Sequence, residues 1–113
     1  MHEMALAESM LEIIEDAARR SAASRVTAVC LEIGALSRVE PEALRFCFDA
    51  VARGSLAQTA LLEIITTPGR AWCMPCGNAI VVSRLGEPCP RCGSYQLEVS
   101  EGEAMCVKAI EIA

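Results

Sequence analysis

The chain has 113 residues, a formal net charge of −5 and seven cysteines, with 53% hydrophobic and 22% charged residues. That length holds one domain, or one domain with a small insert, and that composition folds rather than staying disordered. An acidic chain whose aromatic residues are Phe46, Phe48, Trp72 and Tyr95 lacks the basic footprint and stacking platforms of a nucleic-acid binder, and no apolar run reaches the roughly 20 residues that span a bilayer.

The acids Glu3, Glu8 and Glu12 stand where a signal peptide would be basic and then unbrokenly apolar, so a cytoplasmic location is expected. A reducing compartment disfavours disulfides. From about Met4 to Ser21, Ala7, Met10, Leu11, Ile14 and Ala18 recur on one face at 3.6 residues per turn, which predicts a helix. Arg19 and Arg20 at its end suit the helix dipole. Arg25–Ile33 alternates as a strand and stops at Gly34. A second helix should begin at Pro41, capped by Ser37 or Glu40, carry the stripe Leu44, Cys47, Phe48 and Val51, and stop near Gly54. Leu61–Thr67 reads as a second strand, stopped by Pro68–Gly69, and Ala104–Ile112 as a third.

Between the last two strands the sequence changes character. Gly69–Gly102 holds five of the seven glycines, three of the five prolines and four cysteines, with turns but little periodicity. It reads as an insert too small to bury a sufficient core of its own. Two Cys-x-x-Cys pairs, Cys73/Cys76 and Cys89/Cys92, lie twelve residues apart, each followed by a glycine (Gly77, Gly93). Two residues between ligands let the chain turn so that both sulfurs face one ion, and a glycine at positive φ turns backbone N–H groups toward the thiolates. Structural Zn²⁺ is the favoured reading, because four thiolates leave no open position for hydrolytic chemistry. A rubredoxin-like iron site and a dithiol redox pair stay open as alternatives. Cys30, Cys47 and Cys106 fall within predicted strands and a helix stripe and are expected to be small buried hydrophobes.

His2 is the one histidine. Its size should protect Met1 from removal, leaving the Met1 amine, the His2 amide and the His2 imidazole able to close adjacent chelate rings on one ion. The amide or carboxylate of Glu3 supplies a fourth donor. A planar nitrogen set with a deprotonated amide favours Ni(II) or Cu(II) over Zn(II). The first N–H groups of a helix lack intrahelical partners, so a metal can take one without breaking a hydrogen bond. Against this, a single histidine near a terminus is more often a solvated residue.

Taken together, the Met1-His2-Glu3 start, the strand ending in Gly34, Pro41-Glu42-Ala43-Leu44 with Phe46 and Phe48, the Cys73-x2-Cys76-x12-Cys89-x2-Cys92 spacing and the Gly102-Glu103 strand entry resemble the HypA/HybF family of hydrogenase nickel-incorporation proteins over essentially the whole chain. Relatives often enter the last strand as Gly-x-Glu-Leu, where this chain has Gly102-Glu103-Ala104-Met105.

The resemblance implies an α/β (α+β) fold with two helices on a three-stranded mixed sheet, and an inserted zinc-ribbon-like four-cysteine domain. A nickel-binding domain would comprise 1–68 plus 103–113, and the zinc domain 69–102. It implies a non-enzymatic metallochaperone with His2 as the key nickel ligand, Met1 and Glu3 beside it, and Zn²⁺ on Cys73, Cys76, Cys89 and Cys92. Nickel would be transient cargo passed to the [NiFe]-hydrogenase large-subunit precursor with an accessory GTPase resembling HypB. The chaperone itself is expected to be a monomer or a weak homodimer, touching neither membrane nor nucleic acid. A zinc-ribbon interaction adaptor with an idle His2, or a rubredoxin-like electron carrier, are the competing functions.

Overall fold

The structure, a computed structural model, describes residues 3–113. Helices α1 (Glu3–Arg20) and α2 (Pro41–Val51) combine with six strands, β1 (Val26–Gly34), β2 (Leu61–Thr67), β3 (Gly69–Cys73), β4 (Asn78–Val82), β5 (Leu97–Glu101) and β6 (Met105–Ile112). The chain divides into two compact units, one of Met1–Glu32, Val39–Ile65 and Cys106–Ala113, the other of Ile33–Arg38 and Thr66–Met105.

The first unit follows from its periodicities. In α1 the side chains of Ala7, Met10, Ile14 and Ala18 are buried, four members of the stripe expected at helical spacing. Burying one such medium or large side chain is worth roughly 1.5–3 kcal/mol. The helix ends with Ala22 at φ 54° and Ala23 N–H donating to the Ala18 carbonyl, a left-handed stop in which alanine takes the place glycine usually fills. Helix α2 starts with Pro41 in its first turn and buries Leu44 and Phe48, while Phe46 points outward and is 76% exposed. Its N-cap, Glu40, makes no side-chain capping bond; the Glu40 N–H donates instead to the Glu3 carboxylate at 3.3 Å.

The mixed sheet of this unit has the order β2-β1-β6, so β1 is central. Val26, Val29 and Leu31 of β1 are buried, as the central position requires. Strand β6 runs antiparallel to β1, with Ala113 N–H donating to the Arg25 carbonyl and Gly34 N–H to the Ala104 carbonyl. On this edge strand Cys106 is exposed, and Cys30 and Cys47 are only half-buried, so the expectation of three buried cysteines fails. An edge strand with one sheet face uncovered leaves its outward residues in water whatever their polarity.

The second unit contains a sheet absent from the sequence reading. Strand β3 lies between antiparallel neighbours in the order β4-β3-β5, with Trp72 opposite Ala79 on one side and Glu98 on the other. Its buried cluster comprises Leu36, Ala71, Cys73, Ile80, Val82 and Cys89, with Cys76, Leu97 and Val99 against it. Leu36 enters this core from the loop after β1. That loop is tied down by backbone bonds, Ala35 N–H to the Thr67 carbonyl and Leu36 N–H to the Gly102 carbonyl, at 2.9 and 2.8 Å. A Cβ on Gly34 would stand 2.0 Å from the Gly102 carbonyl oxygen, so this close approach of two backbones requires glycine.

Candidate metal centre

Cys73 closes β3 and Cys76 follows in the turn to β4, while Cys89 and Cys92 lie in the loop before β5. The two knuckles repeat one local geometry. Gly77 N–H donates to the Cys73 carbonyl and Gly93 N–H to the Cys89 carbonyl, each at 2.8 Å. Gly77 has φ 64° and Gly93 φ 76°, the left-handed values that glycine adopts without a Cβ penalty. The turn aims amides at sulfur, and the Arg91 N–H lies 3.4 Å from Cys89 Sγ.

The fold thereby brings four sulfurs into one cluster, all within 4.8 Å of one another. Cys73 and Cys92 Sγ are 3.6 Å apart, and Cys76 and Cys89 Sγ 3.9 Å. A tetrahedral Zn²⁺ with bonds of about 2.3 Å separates its sulfurs by about 3.8 Å, so the thiols stand at the spacing such an ion needs. Cys73 and Cys89 are buried in the apolar cluster, Cys76 is half-buried and Cys92 faces solvent.

The thiols differ as acids. The amide of Cys92 holds the Cys89 thiol down at about 6, whereas the Cys92 side chain against Cys76 pushes that thiol up to about 12. The Cys89 thiolate forms readily, whereas Cys73 and Cys76 resist ionising. A divalent cation completes the set by displacing the remaining protons. Four sulfur donors around one ion leave no position for substrate, so the chemistry available is cross-linking rather than catalysis.

Of the N-terminal residues, Glu3 opens α1 and its carboxylate accepts the Glu40 N–H; Met1 and His2 lie outside the described residues. The sequence reading missed two residues of this region of the fold, Leu36 beneath the knuckles and the Arg91 amide at Cys89. The second was accessible in principle, because a Cys-Pro-x-Cys knuckle directs the amide two residues after its first cysteine at the sulfur.

The family model for hydrogenase/urease nickel incorporation metallochaperones, HypA, matches residues 1–112. The chain belongs to the HypA family. It is similar to the hydrogenase maturation factor HypA 2 of Bradyrhizobium diazoefficiens, with 55% identity over 112 residues and 99% of each chain covered. It is also similar to the hydrogenase maturation factor HypA of Dechloromonas aromatica, with 56% identity over the same length and coverage. The fold matches the solution structure of the Ni metallochaperone HypA from Helicobacter pylori at a TM-score of 0.72, covering 99% of this chain and 97% of that one, with 23% identity. Membership of the HypA family makes this a metallochaperone and maturation factor rather than an enzyme.

Proposed function

We propose that this HypA protein binds Ni(II) at its N-terminus and delivers it to the [NiFe]-hydrogenase large-subunit precursor, with a GTPase resembling HypB. The observation that supports the reading is that the match to a nickel-incorporation family begins at residue 1 and so spans Met1, His2 and Glu3. The Met1 amine, the His2 amide and imidazole, and a donor from Glu3 form a nitrogen-rich set suited to Ni(II). The Glu3 carboxylate accepts the Glu40 N–H and so ties the first residue of α1 to the beginning of α2.

Cys73, Cys76, Cys89 and Cys92 hold Zn²⁺ permanently in this reading, and the bound ion supplies a cross-link that fixes both knuckles. Nickel is transient cargo on a few ligands that a partner's thiolates can approach, so exchange is fast where the four-sulfur site is slow. The nickel-binding domain is 1–68 plus 103–113 and the zinc domain 69–102. The protein works in the cytoplasm as a monomer or weak homodimer; no helix among the described residues is long and apolar enough to cross a membrane.

Isothermal titration of untagged, zinc-loaded protein with Ni(II) tests the reading. One tight site per chain is expected, and two residues added before Met1 should abolish it while zinc content stays at one. Equal nickel binding by the extended protein rules out the terminal chelate, and absence of nickel binding by the native protein favours an interaction adaptor.

A further inference from the structure

Within the second unit, Ala35, Leu36, Arg38, Arg84 and Leu85 line a cleft of about 310 Å³. Its walls are two surface turns, the loop after β1 and the turn after β4. Neither guanidinium forms an ion pair among the described residues, as is also true of Arg20, Arg25, Arg53 and Arg91; what sets Arg38 and Arg84 apart is that both line one cleft. The one acid in the second turn is engaged elsewhere, since Glu87 Oε1 accepts the Ser83 N–H at 3.2 Å. Two unneutralised arginines thus face one cavity in a chain whose net charge is −5.

Arg38 has φ 64°. The other non-glycine residue at positive φ, Ala22, ends a helix, where that conformation closes the last turn. Arg38 follows no helix, and the left-handed region is sterically unfavourable for a residue that carries a Cβ. Such an outlier points to a constraint on where its side chain is presented.

The donors that remain define the ligand. The amides of Ala35, Leu36 and Ser37 already donate to the carbonyls of Thr67, Gly102 and Gly34, so the loop offers no nest of free N–H groups of the kind that cradles phosphate. What is left is two planar guanidiniums, which match a carboxylate bidentately, beside the apolar side chains of Leu36 and Leu85. Leu85 is 37% exposed, so it offers apolar surface to an arriving chain.

We propose that this cleft docks an acidic peptide segment of a partner protein, one carboxylate between Arg38 and Arg84 and a neighbouring apolar side chain on Leu85. The site shares no residue with the four cysteines or the N-terminal chelate, so it stands or falls apart from nickel binding.

The test is a titration of ¹⁵N-labelled, zinc-loaded full-length protein with a blocked peptide of alternating Glu and Leu, followed by NMR. Arg38→Gly removes the charge while suiting φ 64°, and Arg84→Gln removes the second; the same spectra report whether each variant is folded. Shifts confined to 35–38 and 83–88, weakened about tenfold by each variant and lost with a Gln/Leu peptide, are the expected result. Shifts elsewhere, or a peptide affinity that both variants leave unchanged, overturn the proposal. So does inorganic phosphate that displaces the peptide at equal concentration, because it makes the cleft a simple anion site.

Discussion

At the scale of single residues, the proposed function puts two metal-binding chemistries in one chain on different donors. His2 carries the one imidazole, so no other side chain replaces it. His2→Ala is expected to lower nickel affinity by more than about a hundredfold, beyond what loss of an outer-shell partner costs. Zinc stoichiometry should not change, because the proposed zinc donors are the clustered Cys73, Cys76, Cys89 and Cys92. Metal analysis of the purified variant before and after nickel loading checks both halves. Acid should act like the substitution. Protons compete with nickel for an imidazole and an α-amine, which ordinarily titrate near ~6.5 and ~7.7–8.0. Nickel affinity should therefore fall steeply as pH drops from about 7.5 to about 6. An affinity that stays flat over that interval, followed by calorimetry, contradicts the amine–imidazole chelate.

At the scale of elements, the second unit depends on a residue borrowed from outside the cysteine-rich stretch. Leu36 is 3% exposed and sits in one cluster with Ala71, Cys73, Ile80, Val82 and Cys89. Leu36→Ala should destabilise this unit by about 2–5 kcal/mol, the usual cost of a large-to-small change in a packed core. Amide exchange reads it locally, with protection lost in β3 and β4 and retained in α1. The central strand of this unit, β3, escaped the sequence reading for a definite reason. In β3 the buried residues are Gly69, Ala71 and Cys73, while Arg70 and the half-exposed Trp72 face outward. The alternation is present, but the larger hydrophobe is on the wet side, so a hydropathy pattern gives no strand signal. In α1, α2 and β1 of the first unit the buried large residues, among them Met10, Ile14, Leu44, Phe48, Val29 and Leu31, recur at the period of their element. Both helices, β1, β2 and β6 came out of periodicity together with the starts and stops that Gly34, Pro41, Gly54 and Pro68–Gly69 supply, within a residue or so at each end.

At the scale of the whole molecule, the proposed zinc site links folding to metal binding in the unit that holds the four cysteines. Removing the metal with a chelator and a thiol-reactive competitor should open the 66–105 region to protease while helical circular dichroism persists. Zinc binding is worth on the order of 10 kcal/mol to a small structural site, more than such a core supplies unaided. Cys89→Ala should reproduce this outcome without chelator, since it removes one of the four sulfurs and a buried core residue together. A zinc-free protein that resists protease throughout 66–105 would mean that the Leu36 core suffices by itself. The charge of the molecule moves with the metal as well. In the proposed zinc form, four thiolates and one Zn²⁺ contribute −2, taking the net charge from −5 to about −7 and leaving Arg38 and Arg84 in a yet more acidic molecule.

The sequence by itself determined the helices, the strands of the mixed sheet, the knuckle glycines and the four-sulfur set. Each of these rests on residues close together in the chain, where spacing and residue type are enough. Tertiary structure decided the rest: that Leu36 completes a core more than thirty residues away in the chain, that Trp72 faces out and Ala71 in, that Cys106 is exposed on an edge strand, and that Arg38 and Arg84 share a cleft. These depend on pairings between distant segments and on which sheet face is left uncovered. Local periodicity carries no information about either, because the same alternation suits a strand whichever of its faces meets the core.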